Sequence, residues 1–150
     1  MGHTYTRLWV HLIFSTKDRL PYLREELRES VFAYMGGIVR ELNGSAAEIN
    51  GVEDHVHMLI RLPASLAIAK AVEIIKTNSS RWAHERRALH HTFAWQSGYA
   101  AFSVSQSQVR PVMRYIAGQA EHHRRVTFQE ELTAFLKHAG IEYSEGHLWK

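Results

Sequence analysis

The sequence predicts an α+β domain in which one antiparallel sheet is backed by helices. Four runs rich in β-branched and aromatic residues are separated by segments whose apolar residues return at helical spacing. Their order is strand, helix, strand, strand, helix, strand, followed by further helices. The 150 residues, 45% apolar and 22% charged, suffice for one domain with its own core, and 1–150 reads as a single unit without linker, repeat or low-complexity segment.

Taken in order, YTRLWVHLIFST (Tyr5 to Thr16) is apolar enough for a central strand. KDRLPYL follows as a turn, with Pro21 placed to open a helix. Leu23, Leu27, Val31, Tyr34, Ile38 and Leu42 recur at helical spacing, and Asn43-Gly44 stops that helix. SAAEINGVEDHVHMLIRL reads as two short strands around Gly51 to Asp54, the second closed by Pro63. Leu66, Ala69, Val72 and Ile75 mark a helix from Ser65 to about Arg87. FAWQSGYAAFSVS alternates as a strand, or a strand pair broken at Gly98. SQSQVRPVMRYIAGQAEHHRR is helical, with Val109, Val112, Ile116 and Gln119 on its inner side and serines available as caps. Thr127 and Glu130 form a capping-box pattern before a helix carrying Leu132, Phe135 and Leu136, while the tail GIEYSEGHLWK has no clear period. The β-α-β-β-α-β order is the split βαβ, or ferredoxin-like, layout, with helices on one face of the sheet and the C-terminal helices appended.

Composition excludes several kinds of function. Without cysteine there are no disulfides, thiolate nucleophiles or cysteine-based zinc sites, which suits a reducing cytoplasm. No apolar run reaches the roughly 20 residues of a membrane span, and MGHTYTRLWV lacks the layout of a secretion signal. The formal charge of +3 permits a polyanionic partner, and eleven histidines raise the expectation of metal or phosphate chemistry.

The segment EDHVHMLI places two of those histidines in a strand. Alternation sends Val56, Met58 and Ile60 to the core and puts His55 and His57 together on the other face, about 7 Å apart along the strand. Such a pair fits hydrogen-bonded histidines as well as metal ligands, and a firmly held ion needs a third protein donor. In RYIAGQ, Tyr115 and Gln119 are i and i+4 and share a helix face, offering a phenol and a hard amide oxygen; an ordinary amphipathic helix has the same spacing.

In combination these pieces resemble the HUH single-tyrosine transposases of bacterial insertion sequences, of the insertion sequence 200/605 type. The resemblance runs through HLIFSTKDRLP, DHVHMLI, IKTNSSRW, WQSGYAAFSVS and VMRYIAGQAEHHR, in that order. It implies that His55, His57 and Gln119 hold a divalent metal, Mg²⁺ or Mn²⁺. It further implies that Tyr115 attacks a phosphodiester of single-stranded DNA, leaving a 5′-phosphotyrosine and a free 3′-hydroxyl. The expected partners are single-stranded DNA, with hairpins at element ends, and a second copy of the chain in a homodimer whose sites are completed in trans.

Basic residues on the second helix and around the tyrosine helix can neutralise phosphates. Lys76, Ser79, Ser80 and Arg81, in a family-like K-x-x-S-S-R segment, lead the DNA-binding candidates, with Arg114 and Arg124 around the tyrosine helix. Lys17 and Arg19 follow. Trp82, Trp95, Tyr99 and Phe102 can stack on bases or pack in the core. Neighbouring histidines point apart on a helix, so His122-His123 and His90-His91 are not expected to form a second metal site. Asp54 and Glu53 are expected to end the hairpin or orient His55. Other readings are a domesticated relative, a replication-type nickase, a non-catalytic nucleic-acid-binding domain and a structural zinc protein.

Overall fold

The computed structural model describes residues 2–148; Trp149 and Lys150 of the aperiodic tail lie outside the described residues. Strands β1 (Leu8–Ser15), β2 (Ser45–Gly51), β3 (His55–Leu62) and β4 (Ala100–Val104) form one sheet in the order β2-β3-β1-β4, every neighbouring pair antiparallel. Helix α1 (Glu25–Glu41) connects β1 to β2 across β3, and α2 (Ile68–Glu85) connects β3 to β4 across β1. This is the predicted split βαβ arrangement.

Strand alternation builds the main core. Val10, Leu12 and Phe14 of β1 and Val56, Met58 and Ile60 of β3 share one face. Val31, Met35 and Val39 of α1 and Val72 and Ile75 of α2 cover it.

The C-terminal helices are more than an appendage. Helices α3 (Val109–Ala117), α4 (Gln119–His122) and α5 (Phe128–His138) lie over the second face of the sheet. Apolar residues on that face demand the cover: Leu59 packs with Val109 and Ile116 of α3, and Ile13 packs with Phe128, Leu132 and Leu136 of α5. As a result every residue from His55 to Ile60 is 0% exposed, so both imidazoles are buried rather than on a wet surface.

Several boundaries shift for identifiable reasons. β1 begins at Leu8, leaving Tyr5 exposed, and α1 begins at Glu25 rather than at Pro21. The 93–98 stretch contributes one isolated bridge, Trp95 to Thr16, instead of a ladder. The predicted long helix through 105–125 breaks at Gly118 into α3 and α4, and no serine side chain caps α3. The capping box forms as predicted, with Thr127 Oγ1 accepting from the Glu130 amide at 3.1 Å.

The turn between β2 and β3 sets the position of His55. A Cβ on Gly51 would run into the His55 carbonyl, so the two strands approach this closely only because residue 51 has no side chain. Gly51→Ala is expected to lower stability by about 1–3 kcal/mol in urea denaturation. Gly98→Ala, whose added methyl meets only the Gln96 amide at 3.7 Å, is the near-neutral comparison.

Candidate functional site

Three imidazoles reach the second face of the sheet from two adjacent strands. His55 and His57 come from β3, with ring centroids 5.2 Å apart, and His11 comes from β1. His11 Nε2 and His57 Nδ1 share a hydrogen bond of 2.8 Å. His55 Nδ1 lies 2.7 Å from Asp54 Oδ1, so Asp54 accepts its proton as the sequence suggested, while Glu53 stays exposed.

Tyr115 and Gln119 arrive from above on α3 and α4. Asn50 of β2 fixes the end of α3, its amide donating to the carbonyls of Ile116 and Ala117, each at 3.1 Å. Despite the break at Gly118, Gln119 is fully buried, and its Oε1 lies 3.2 Å from His55 Nε2. His123 builds no second site but has a place in this one that the sequence did not reveal. One turn after Gln119, its Nε2 lies 3.0 Å from Gln119 Oε1, and its ring centroid is 4.4 Å from that of His55. Its Nδ1 donates to the Val126 carbonyl at 2.7 Å.

The centre is completed by Glu131 of α5. Its Oε1 lies 2.9 Å from His57 Nε2, 3.1 Å from His123 Nε2 and 3.4 Å from His55 Nε2. Its Oε2 accepts one hydrogen bond from the Tyr115 hydroxyl and a second from Gln119 Nε2 at 3.2 Å. His122 Nε2 stands 3.3 Å from the same hydroxyl. A cavity of about 370 Å³, lined by Tyr115, His122, Glu131, Phe135 and His138, opens beside the tyrosine.

The residues fit a divalent ion. His55, His57, His123 and Glu131 offer ligand atoms that all lie within 4.8 Å of one another, and Gln119 Oε1 points at the same centre. The Nδ1 atoms of these three imidazoles are engaged by Asp54, by His11 and by the Val126 carbonyl, leaving each Nε2 aimed inward. Backing of this kind orients metal-binding histidines.

A family model described as Transposase IS200 like matches residues 4–119. The chain belongs to the IS200-like transposase family. It is 25% identical over 134 residues to the insertion sequence IS200 transposases of Salmonella typhimurium and Salmonella typhi, covering 83% of this chain and 84% of each relative. Two solved structures share its fold. One is a candidate transposase of Deinococcus radiodurans R1 (TM-score 0.62, 22% identity, 79% of this chain and 96% of that one). The other is a REP-associated tyrosine transposase bound to a REP hairpin (TM-score 0.60, 14% identity, 84% and 74%).

The transposase brings together every predicted member of its metal and tyrosine set, but not the predicted DNA-binding set. Lys76, Ser80 and Arg81 lie on α2, across the sheet from His55 and His57. The Lys76 ammonium donates to the carbonyls of Gln96 and Gly98 at 2.8 and 2.6 Å, and burial lowers its pKa to about 8. Ser79, not Ser80, is the buried serine of that segment, accepting from Trp95 Nε1 at 3.0 Å. Part of this segment therefore holds the loop before β4. Arg81 and Arg114 are exposed, and Arg124 is an exposed partner of Glu121 at 2.9 Å. Trp95 is core, Trp82 stacks on Tyr34 with centroids 4.7 Å apart, and Tyr99 is exposed. The His90 and His91 rings meet at a tilt, with centroids 4.3 Å apart, outside the centre. No described helix is long and apolar enough to cross a membrane.

Sequence reasoning missed Glu131, His123 and His11. Glu131 interrupts the inward stripe Phe128, Leu132, Phe135, Leu136, a carboxylate where helical spacing calls for an apolar residue. His123 follows Gln119 by one turn, and His11 sits inside an apolar strand.

Each charge state has a physical cause. Burial would raise the Glu131 carboxyl, yet hydrogen bonds from His123, His55 and His57 hold it far below the usual carboxylate range. Burial works against a charged His55, but its bonds to Asp54 and Glu131 raise it above 6.5. Burial lowers His57, and burial together with His57 lowers His11 to about 3. Burial, then the hydrogen bond to Glu131 and its charge, push the Tyr115 phenol well above its ordinary value. A depressed carboxyl adds stability that is present above its ordinary 4.5 and is lost as pH falls below it; the raised His55 adds stability that is present below 6.5 and is lost as pH rises through its folded value. In metal-free buffer the Tm gap between wild type and Glu131→Gln is therefore expected to be widest near about pH 6 and to narrow in acid. A gap that widens in acid contradicts this assignment.

Proposed function

We propose that this transposase cleaves and rejoins single-stranded DNA, with Tyr115 as the nucleophile. The observation that carries the reading is the Tyr115 hydroxyl, held on the same carboxylate that faces three inward-pointing imidazoles, beside an open cavity. The phenolic oxygen bonds to phosphorus and the bond to the 3′-oxygen breaks, leaving a 5′-phosphotyrosine and a free 3′-hydroxyl. Glu131 Oε2 and His122 Nε2 lie within reach of the phenolic proton, and the departing 3′-oxygen takes up a proton. When the 3′-hydroxyl of a second DNA end attacks the phosphotyrosine, a diester is restored and Tyr115 is released. One ester bond replaces another in each step, so joining needs no ATP.

His55, His57 and Gln119 would hold the ion together with their neighbours. A bound divalent ion polarises the scissile phosphate and offsets the charge that grows on it. The nitrogen-rich surroundings favour Mn²⁺ over Mg²⁺, which prefers oxygen donors and water. A hairpin-ended substrate is supported by the REP hairpin held by the structural relative. The resemblance implies a homodimer with sites completed in trans; within the single chain the tyrosine helix lies on its own histidines, with the Tyr115 and His57 ring centroids 5.8 Å apart, and docking in cis is the reading put to the test below.

Incubation with a labelled single-stranded hairpin and Mn²⁺ is expected to give a covalent complex on a denaturing gel. Tyr115→Phe removes it, and His57→Ala weakens it by about a hundredfold. A complex that persists in Tyr115→Phe sinks the mechanism. Mixed Tyr115→Phe and His57→Ala chains are expected to give no adduct, and rescue would establish exchange between chains.

A further inference from the structure

The family match ends at residue 119, and two of the inward-facing donors lie beyond it: His123, at the end of α4, and Glu131, on α5. Glu131 is 3% exposed and sits on the buried stripe of its helix, where Phe128, Leu132 and Leu136 pack against Ile13. A carboxylate at such a position costs stability unless charge or hydrogen bonds compensate. Every side-chain partner of Glu131 belongs to the centre: the imidazoles of His55, His57, His122 and His123, the Tyr115 hydroxyl and the Gln119 amide.

We propose that Glu131 and His123 are ligands of the bound metal, so that metal binding ties α5 to the sheet and fixes the nucleophile beside the ion. Donor atoms sharing an ion at about 2.0–2.2 Å lie roughly 3 Å from one another. Glu131 Oε1 stands 2.9, 3.1 and 3.4 Å from the Nε2 atoms of His57, His123 and His55, the spacing of fellow ligands. The His123 ring is already turned for the task, because its Nδ1 proton is used on the Val126 carbonyl and its Nε2 faces the centre. The second oxygen of Glu131 meanwhile holds Tyr115. One carboxylate thereby spans the ion and the attacking hydroxyl, a positioning role that depends on both of its oxygens.

This inference rests on the metal-assisted reading above, and its test uses metal without DNA. A competing role for Glu131, a plug occupying the ion's own place, predicts the opposite sign. Mn²⁺ is titrated into the full chain, and free ion is followed by its electron paramagnetic resonance signal. Glu131→Gln and His123→Ala are each expected to weaken Mn²⁺ binding about 10- to 100-fold. Unchanged or tighter binding by Glu131→Gln overturns the proposal. A second readout needs no variant: in the wild type Mn²⁺ is expected to slow amide exchange across 128–138, and unchanged or faster exchange there overturns it. His57→Ala separates the two failures. If His57→Ala loses Mn²⁺ while Glu131→Gln binds as the wild type does, only this inference falls; if the wild type binds no Mn²⁺, the metal-assisted reading falls with it.

Discussion

Burying three imidazoles and a carboxylate between a sheet and two helices is unfavourable unless every polar atom finds a partner, and the partners here come from four separate elements. His57 leans on His11 of the neighbouring strand, His55 on Asp54 at the strand's start, His123 on a carbonyl in the loop before α5, and all three face Glu131. Among the described residues no buried side-chain nitrogen or oxygen is left without a hydrogen bond. Satisfying this network sets where α3, α4 and α5 can lie relative to β3. The apolar contacts around it, Leu59 with α3 and Ile13 with α5, supply the burial that keeps the polar set dry.

The core strands and long helices were legible because their periods are clean. β3 alternates between two faces, and Thr127 and Glu130 announce the start of α5. The strand histidines, the tyrosine and the glutamine were legible as a set because the segments DHVHMLI and VMRYIAGQAEHHR that carry them resemble the family. Glu131 and His123 were not, since their role depends on two helices meeting across a sheet, which spacing within one helix does not report. The local cues were the carboxylate in an apolar stripe and the histidine one turn after Gln119. Each also has an ordinary explanation on a solvated helix. The break at Gly118 was equally hidden, because the apolar residues of α3 and Gln119 keep one inner side across it.

In the basic segment on α2, Lys76 donates to two backbone carbonyls and lies over the Phe14 ring, 5.0 Å from its centroid. Such a lysine braces the loop leading into β4, the strand that borders β1 opposite β3. Arg114, next to the tyrosine in α3, and Arg124, just after α4, are both exposed.

The placement of α5 separates two boundaries that are easily confused. The family model stops at residue 119, whereas the unit that shields the histidines from water reaches at least to Leu136. A chain trimmed at residue 119 would keep Tyr115 and the strand histidines while laying Ile13 open to solvent and removing the anion at the heart of the site. The boundary of a sequence pattern is not the boundary of a dry pocket, which here needs one helix more.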